Sequence, residues 1–125
     1  MRFLAVLAAL FIASVAHAEL PSSSDALIRA ALSSGKPTVA DFGARTCIPC
    51  KKMAPLLEEL NLELQGRANV LFTDVWATQS LAQKYRVQMI PTQIFFDTSG
   101  KEMKRHMGFM SKDDILKELK AAGLK

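Results

Sequence analysis

Ala40-Asp41-Phe42-Gly43-Ala44-Arg45-Thr46-Cys47-Ile48-Pro49-Cys50-Lys51-Lys52-Met53-Ala54-Pro55 carries both a strand-to-helix junction and the only two cysteines of the chain. It opens inside a short apolar run, residues 38–44, where Val39, Ala40 and Phe42 predict a buried strand with one acid, Asp41, within it. It closes inside a helix. Met53, Leu56, Leu57, Leu60 and Leu64 recur at helical spacing, Lys52, Glu58, Glu59 and Glu63 take the other side, and Gly66 is the stop. The junction sets Cys47 at or near a helix N-terminus, where unsatisfied backbone N–H groups and the positive end of the helix dipole favour a thiolate over a thiol. Arg45, Lys51 and Lys52 add positive charge nearby. Cys50 follows three residues later, on the same face one turn deeper, within reach of the first sulfur. Pro55 removes a backbone donor and presses on the carbonyl four residues back, which predicts a kink about one turn after Cys50.

On either side of this segment the pattern continues. Residues 25–34 predict a first helix with Leu27, Ile28, Ala31 and Leu32 inward and Gly35 ending it. Residues 69–76 predict a strand, 79–85 a short helix and 93–97 a strand. A turn at 98–101 then feeds a second strand, 102–109, as an antiparallel hairpin. Ser111 with Asp114 opens a last helix that carries Ile115, Leu116, Leu119 and Ala122 inward. The order α, β, α, β, α, β, β, α predicts an α/β fold, a mixed sheet with helices on both faces. Trp76 is expected to be a packing residue away from the site.

The chain has 125 residues, 50% of them apolar, but 15 of the first 18 are apolar and distort that figure. Met1-Arg2, an apolar stretch to Ala16 broken only by Ser14, and Ala16-His17-Ala18 together predict a secretory signal peptide at 1–18, cleaved after Ala18. As an uncleaved anchor it falls short of the roughly 20 apolar residues that cross a bilayer. Glu19, not cysteine, follows the cut, so the lipid-anchored version is not supported. The expectation is an exported, periplasmic protein with one domain over 19–125 and no stable membrane insertion. The full chain's net charge of +4 is interspersed rather than blocked and names no nucleic-acid partner. Outside the cytosol, disulfides persist. A bridge between Cys47 and Cys50 closes too small a ring to staple a fold, so the pair is kept for chemistry.

Other uses of the spacing lack their remaining parts. Haem attachment needs His after the second cysteine, where Lys51 stands, and a structural zinc site needs four ligands, usually with a second Cys or His pair. Copper handling stays open as the rival from another class. Met103, His106, Met107 and Met110, with the cysteines, are soft ligands suited to it, although such methionines are more often core filler.

The segment from Ala40 to Pro55 resembles the active-site segment of thioredoxins, down to the proline in the helix. Lys84-Tyr85-Arg86-Val87-Gln88-Met89-Ile90-Pro91-Thr92 is similar to the stretch that holds the family's cis-proline. Met107-Gly108 with Ser111-Lys112 is similar to its last strand and helix start. The resemblance implies a thioredoxin-like fold, with a central mixed sheet of four to five strands flanked by helices, acting as a monomeric thiol:disulfide oxidoreductase. It implies that Cys47 attacks and Cys50 resolves, and that Asp41 is a buried carboxylate exchanging a proton with Cys50. The alternative for Asp41 is an acid at a strand end reaching solvent. Ile48, Pro49, Ile90, Pro91 and Thr92 would receive the substrate. Pro49 and Ile90 resemble reducing members more than exported oxidases or isomerases, which remain alternatives along with a pure interaction module. With no Gly-rich fingerprint after a strand, the chain is expected to bind no nicotinamide or flavin cofactor. The resemblance then implies a membrane-embedded electron donor and protein disulfides as substrates. Gly43 and Thr46 stand where thioredoxins commonly carry tryptophans, Ile48 replaces a glycine, and Phe72 replaces a buried lysine common near the acid.

Overall fold

The computed structural model describes residues 19–125, so the expected signal segment lies outside them. The elements are α1 (Asp25–Leu32), β1 (Thr38–Gly43), α2 (Ile48–Glu63), β2 (Asn69–Asp74), α3 (Gln79–Lys84), β3 (Thr92–Phe96), β4 (Glu102–Met107) and α4 (Lys112–Ala121). They follow the expected order. The sheet runs β2-β1-β3-β4, with β1 and β2 parallel and both other pairs antiparallel. A parallel pair needs a long crossover, and α2 supplies it. An isolated bridge from Ser22 to Phe72, with Ser23 N–H donating to the Phe72 carbonyl at 2.7 Å, covers part of the outer edge of β2.

Burial explains the register. All six residues of β1 are buried, as a central strand covered on both faces requires. Val39 and Phe95 pack against Met53 and Leu57 of α2 and Ile115 and Leu119 of α4. Ala40, Phe42, Ile94 and Phe96 pack on the other face with Ile28 of α1. Local caps place the helices: Ser24 accepts from the Leu27 N–H and Ser111 from the Asp114 N–H, each at 3.2 Å. The β3–β4 turn depends on Gly100, whose φ is +82° and where a Cβ would lie 2.5 Å from the Leu32 carbonyl oxygen.

Four expectations about side chains fail. Leu27 is 56% exposed because α1 turns only Ile28 and Ala31 fully inward. Glu58, assigned to the polar side of α2, is buried one residue past Leu57, at the edge of the apolar stripe. Trp76 is not a buried packing residue: it is 58% exposed just after β2. Met103 and Met107 are exposed rather than core filler, because the odd positions of edge strand β4 face outward, and only Met110 is buried. Among the described residues, no helix is long and apolar enough to cross a membrane.

Candidate active site

The parallel pairing of β1 and β2 ends at Gly43 and Asp74, and the chain leaves β1 there to enter α2. Cys47 is the N-cap of α2, with extended backbone (φ −74°, ψ 128°), Ile48 begins the helix and Pro49 sits in its first turn. Proline is tolerated there because that N–H has no helical partner to lose. Cys47 makes no side-chain cap hydrogen bond, and the first turn holds no acidic residue. On reduction, its sulfur therefore meets the positive end of a 16-residue helix with no carboxylate in the turn to offset it. Lys51 and Lys52 are exposed beside it. Arg45 is more committed than its position implied, pairing with Glu19 at 3.1 Å, donating to the Leu20 carbonyl and stacking 4.3 Å from the Phe72 ring centre. Cys47 and Cys50 form a disulfide with Cα atoms 5.1 Å apart, Cys47 half-buried and Cys50 4% exposed. One sulfur is thus accessible and the other shielded.

Gly43 explains how Cys50 fits so close to β1. A Cβ at this position would stand 3.1 Å from the Cys50 sulfur and 3.3 Å from its Cβ. A tryptophan, common in thioredoxins there, does not fit this packing without a shift. Gly43→Ala is expected to destabilise the oxidised protein by about 1–3 kcal/mol through overpacking, read by urea unfolding. A neutral result would mean that the Cys50 turn yields freely.

Asp41 lies two residues before Gly43 and so on the same sheet face, one step deeper under α2. It is 0% exposed, which rules out an acid reaching solvent at a strand end. Gln93 Nε2 donates to its Oδ1 at 2.9 Å, whereas Oδ2 is buried with no hydrogen-bond partner among the described residues. Loss of hydration pushes the carboxyl up to about 7, against a smaller downward pull from the Gln93 hydrogen bond. A buried acid that titrates near neutrality can take and return a proton at working pH.

The peptide bond between Ile90 and Pro91 is cis. Thr92 pairs with Phe42, so Pro91 faces the end of β1 from which the cysteine loop departs, and its carbonyl accepts from the Gly108 N–H at 2.8 Å. Thr92 is buried, its hydroxyl donating to the Met89 carbonyl, while Ile90 is half-buried and Ile48 and Pro49 are exposed. All the expected site residues thus come to one end of the sheet. Met89, Met107 and Phe109 are exposed at the ends of the adjoining segments, an apolar rim that helix and strand periodicity does not reveal. Gln93 was also missed as a site residue, although a polar side chain heading the apolar run Ile94-Phe95-Phe96 was its visible signal. The soft ligands do not assemble: Met110 is buried against Met53, its N–H donating to that sulfur, whereas Met103 and Met107 are exposed and His106 Nδ1 lies 2.9 Å from Gln93 Oε1. Among the described residues, no cluster of three or more His, Cys, Asp and Glu side chains fit to hold a metal occurs.

Comparison with known proteins agrees with this geometry. The thioredoxin family model matches residues 21–121. The chain is 41% identical over 81 residues to a Staphylococcus aureus thioredoxin, covering 65% of this chain and 77% of that protein. It is 40% identical over 88 residues, 70% of its length, to a bifunctional thioredoxin reductase/thioredoxin of Mycobacterium leprae, of which it spans only 19%. Its backbone is similar to a mutant thioredoxin from Halobacterium salinarum, with a TM-score of 0.72 and 27% identity over 82% of this chain and 88% of that one. Chloroplastic thioredoxin z gives the same TM-score at 26% identity, with 84% and 95% covered. A four-stranded mixed sheet, a Cys-X-X-Cys disulfide at the mouth of a helix and a family match over most of the length lead to one conclusion: this chain belongs to the thioredoxin family, as a thiol–disulfide oxidoreductase with a redox-active cysteine pair.

Proposed function

We propose that the protein is an exported reductase that passes two electrons from Cys47 and Cys50 to the disulfides of other exported proteins. The observation that carries this reading is the pairing of an accessible sulfur at the α2 N-terminus with a shielded one, above a buried acid that has an unpartnered oxygen. Cys47 thiolate attacks a substrate disulfide, forms a mixed disulfide and expels one substrate sulfur as a thiolate. Cys50 gives its proton to Asp41 and attacks Cys47, releasing the second substrate sulfur. Two electrons leave the dithiol, which becomes the disulfide. Ile48, Pro49 and Ile90 are the solvent-facing residues where substrate backbone docks, with Pro91 and Thr92 buried behind them.

Export to the periplasm rests on residues 1–18, and the reducing direction on Pro49 and Ile90, which resemble reducing thioredoxins. A membrane-embedded thiol:disulfide interchange protein would recharge this monomer. Equilibration with glutathione tests the direction. A potential near or below about −230 mV is expected, and one near about −120 mV would reassign the protein as an oxidase.

A further inference from the structure

Asp41, Gln93 and His106 occupy matching register positions on three adjacent strands, β1, β3 and β4. By alternation they share the face of Val39 and Phe95, which α2 and α4 cover. Their polar atoms connect: His106 Nδ1 lies 2.9 Å from Gln93 Oε1, and Gln93 Nε2 donates to Asp41 Oδ1 at 2.9 Å. An amide oxygen only accepts, so Nδ1 must carry a hydrogen. With Asp41 ionised, the reverse amide orientation would aim Oε1 at the carboxylate, oxygen against oxygen. A continuous hydrogen-bonded row therefore runs from the half-buried edge strand to a fully buried acid.

We propose that Gln93 and His106 are positioning residues that dictate which oxygen of Asp41 takes up the proton. Oδ1 is held as a permanent acceptor by the amide, whose orientation His106 locks in turn. Oδ2, buried and unpartnered, is the oxygen left to titrate. That the proton comes from Cys50 rests on the proposed function. There the thiol proton passes to Oδ2, the electron pair left on Cys50 forms the bond to Cys47, and the substrate sulfur departs with the pair from the broken bond.

Both neutral Nδ1–H imidazole and imidazolium can make the donation. The Nε2–H tautomer cannot, since it turns a lone pair towards Oε1. The charged and titratable groups around the row are few among the described residues. α2 offers Cys50, with Lys51 and Lys52 exposed in its first turn, and the Arg45 guanidinium stacks on Phe72 of β2. Beside His106, Lys104 pairs with Glu118 of α4, and Arg105 pairs with Glu102. Loss of hydration is the dominant influence on Asp41 and Gln93 the opposing one.

NMR of the oxidised protein tests this without turnover. Nitrogen shifts are expected to report the Nδ1–H tautomer of His106 in the neutral form. The Asp41 carboxyl carbon is expected to titrate about one pH unit higher in Gln93→Leu, because the one hydrogen bond it accepts among the described residues is gone. In His106→Phe, where the amide is free to turn over, the midpoint rises by less, and His106→Asn, which restores an N–H donor, returns it towards the native value. An Nε2–H tautomer in the native protein, or an unmoved Asp41 midpoint in Gln93→Leu, overturns the proposal. The tautomer reading decides it alone if Gln93→Leu does not fold. A shifted midpoint with an unchanged rate of mixed-disulfide resolution supports the row and removes instead the role of Asp41 in the proposed function.

Discussion

Cys47→Ser is expected to lower disulfide reduction by at least about a thousandfold, because a serine hydroxyl at the helix mouth is not ionised and no other thiol among the described residues is exposed to replace it. Cys50→Ser should fail differently. Its Cys47 still attacks once, and the enzyme then stalls as a mixed disulfide, since the serine at 50 cannot displace the captured sulfur. Intact-mass measurement after exposure to a model disulfide separates the outcomes: an adduct on Cys50→Ser, none on Cys47→Ser. The reverse pattern would exchange the roles of the two cysteines. The burial contrast makes the direction specific, since a substrate sulfur cannot reach the 4% exposed Cys50 without moving α2.

Asp41→Asn is expected to stabilise the oxidised protein by about 2–4 kcal/mol at pH 8 and to change little at pH 4. In the unfolded chain the carboxyl ionises with its ordinary value of 3.8, whereas burial holds it at about 7 in the fold. Below about pH 4 both states are protonated and the acid carries no penalty. As pH rises from about 4 to 7, the unfolded chain releases its proton first, so the folded state loses stability, and the loss levels off above about pH 7. The full difference corresponds to about 4 kcal/mol, of which the asparagine, which still needs hydrogen-bond partners, recovers part. Asp25, held low chiefly by its hydrogen bond to Lys84, and Asp97, held low chiefly by Ser99, act in the opposite sense as pH falls through the carboxylate range. The difference between native protein and variant in urea unfolding at the two pH values therefore isolates Asp41. An equal stability at pH 8 would mean that the carboxyl is solvated or paired in the fold.

Much of this was legible in the sequence because the decisive features are local. A run such as Val39-Ala40-Asp41-Phe42 between turn residues predicts a buried strand, the Leu57, Leu60 and Leu64 spacing predicts a helix packed on it, and a cysteine between the two lands at a helix mouth. Features set by neighbours distant in the chain were not legible. Whether Asp41 reaches solvent depends on β2 and β3 lying on either side of β1, and the partner of its Oδ1 is 52 residues away. The exposure of Trp76, Met103 and Met107 depends on which strands end at an edge, which hydrophobicity along the chain does not encode. Glu58 shows the same limit on a smaller scale, since helical spacing locates a stripe but not its width.

The central claim is that the helix mouth holds the Cys47 sulfur as an anion while Cys50 stays protonated behind it. The direct measurement is the rate of alkylation of each thiol in the reduced protein across pH, resolved by peptide mass. Cys47 is predicted to react at clearly lower pH than Cys50, its thiolate favoured by the helix mouth, with Cys50 following in a separate and slower step. Two thiols titrating together above about pH 9 would contradict it.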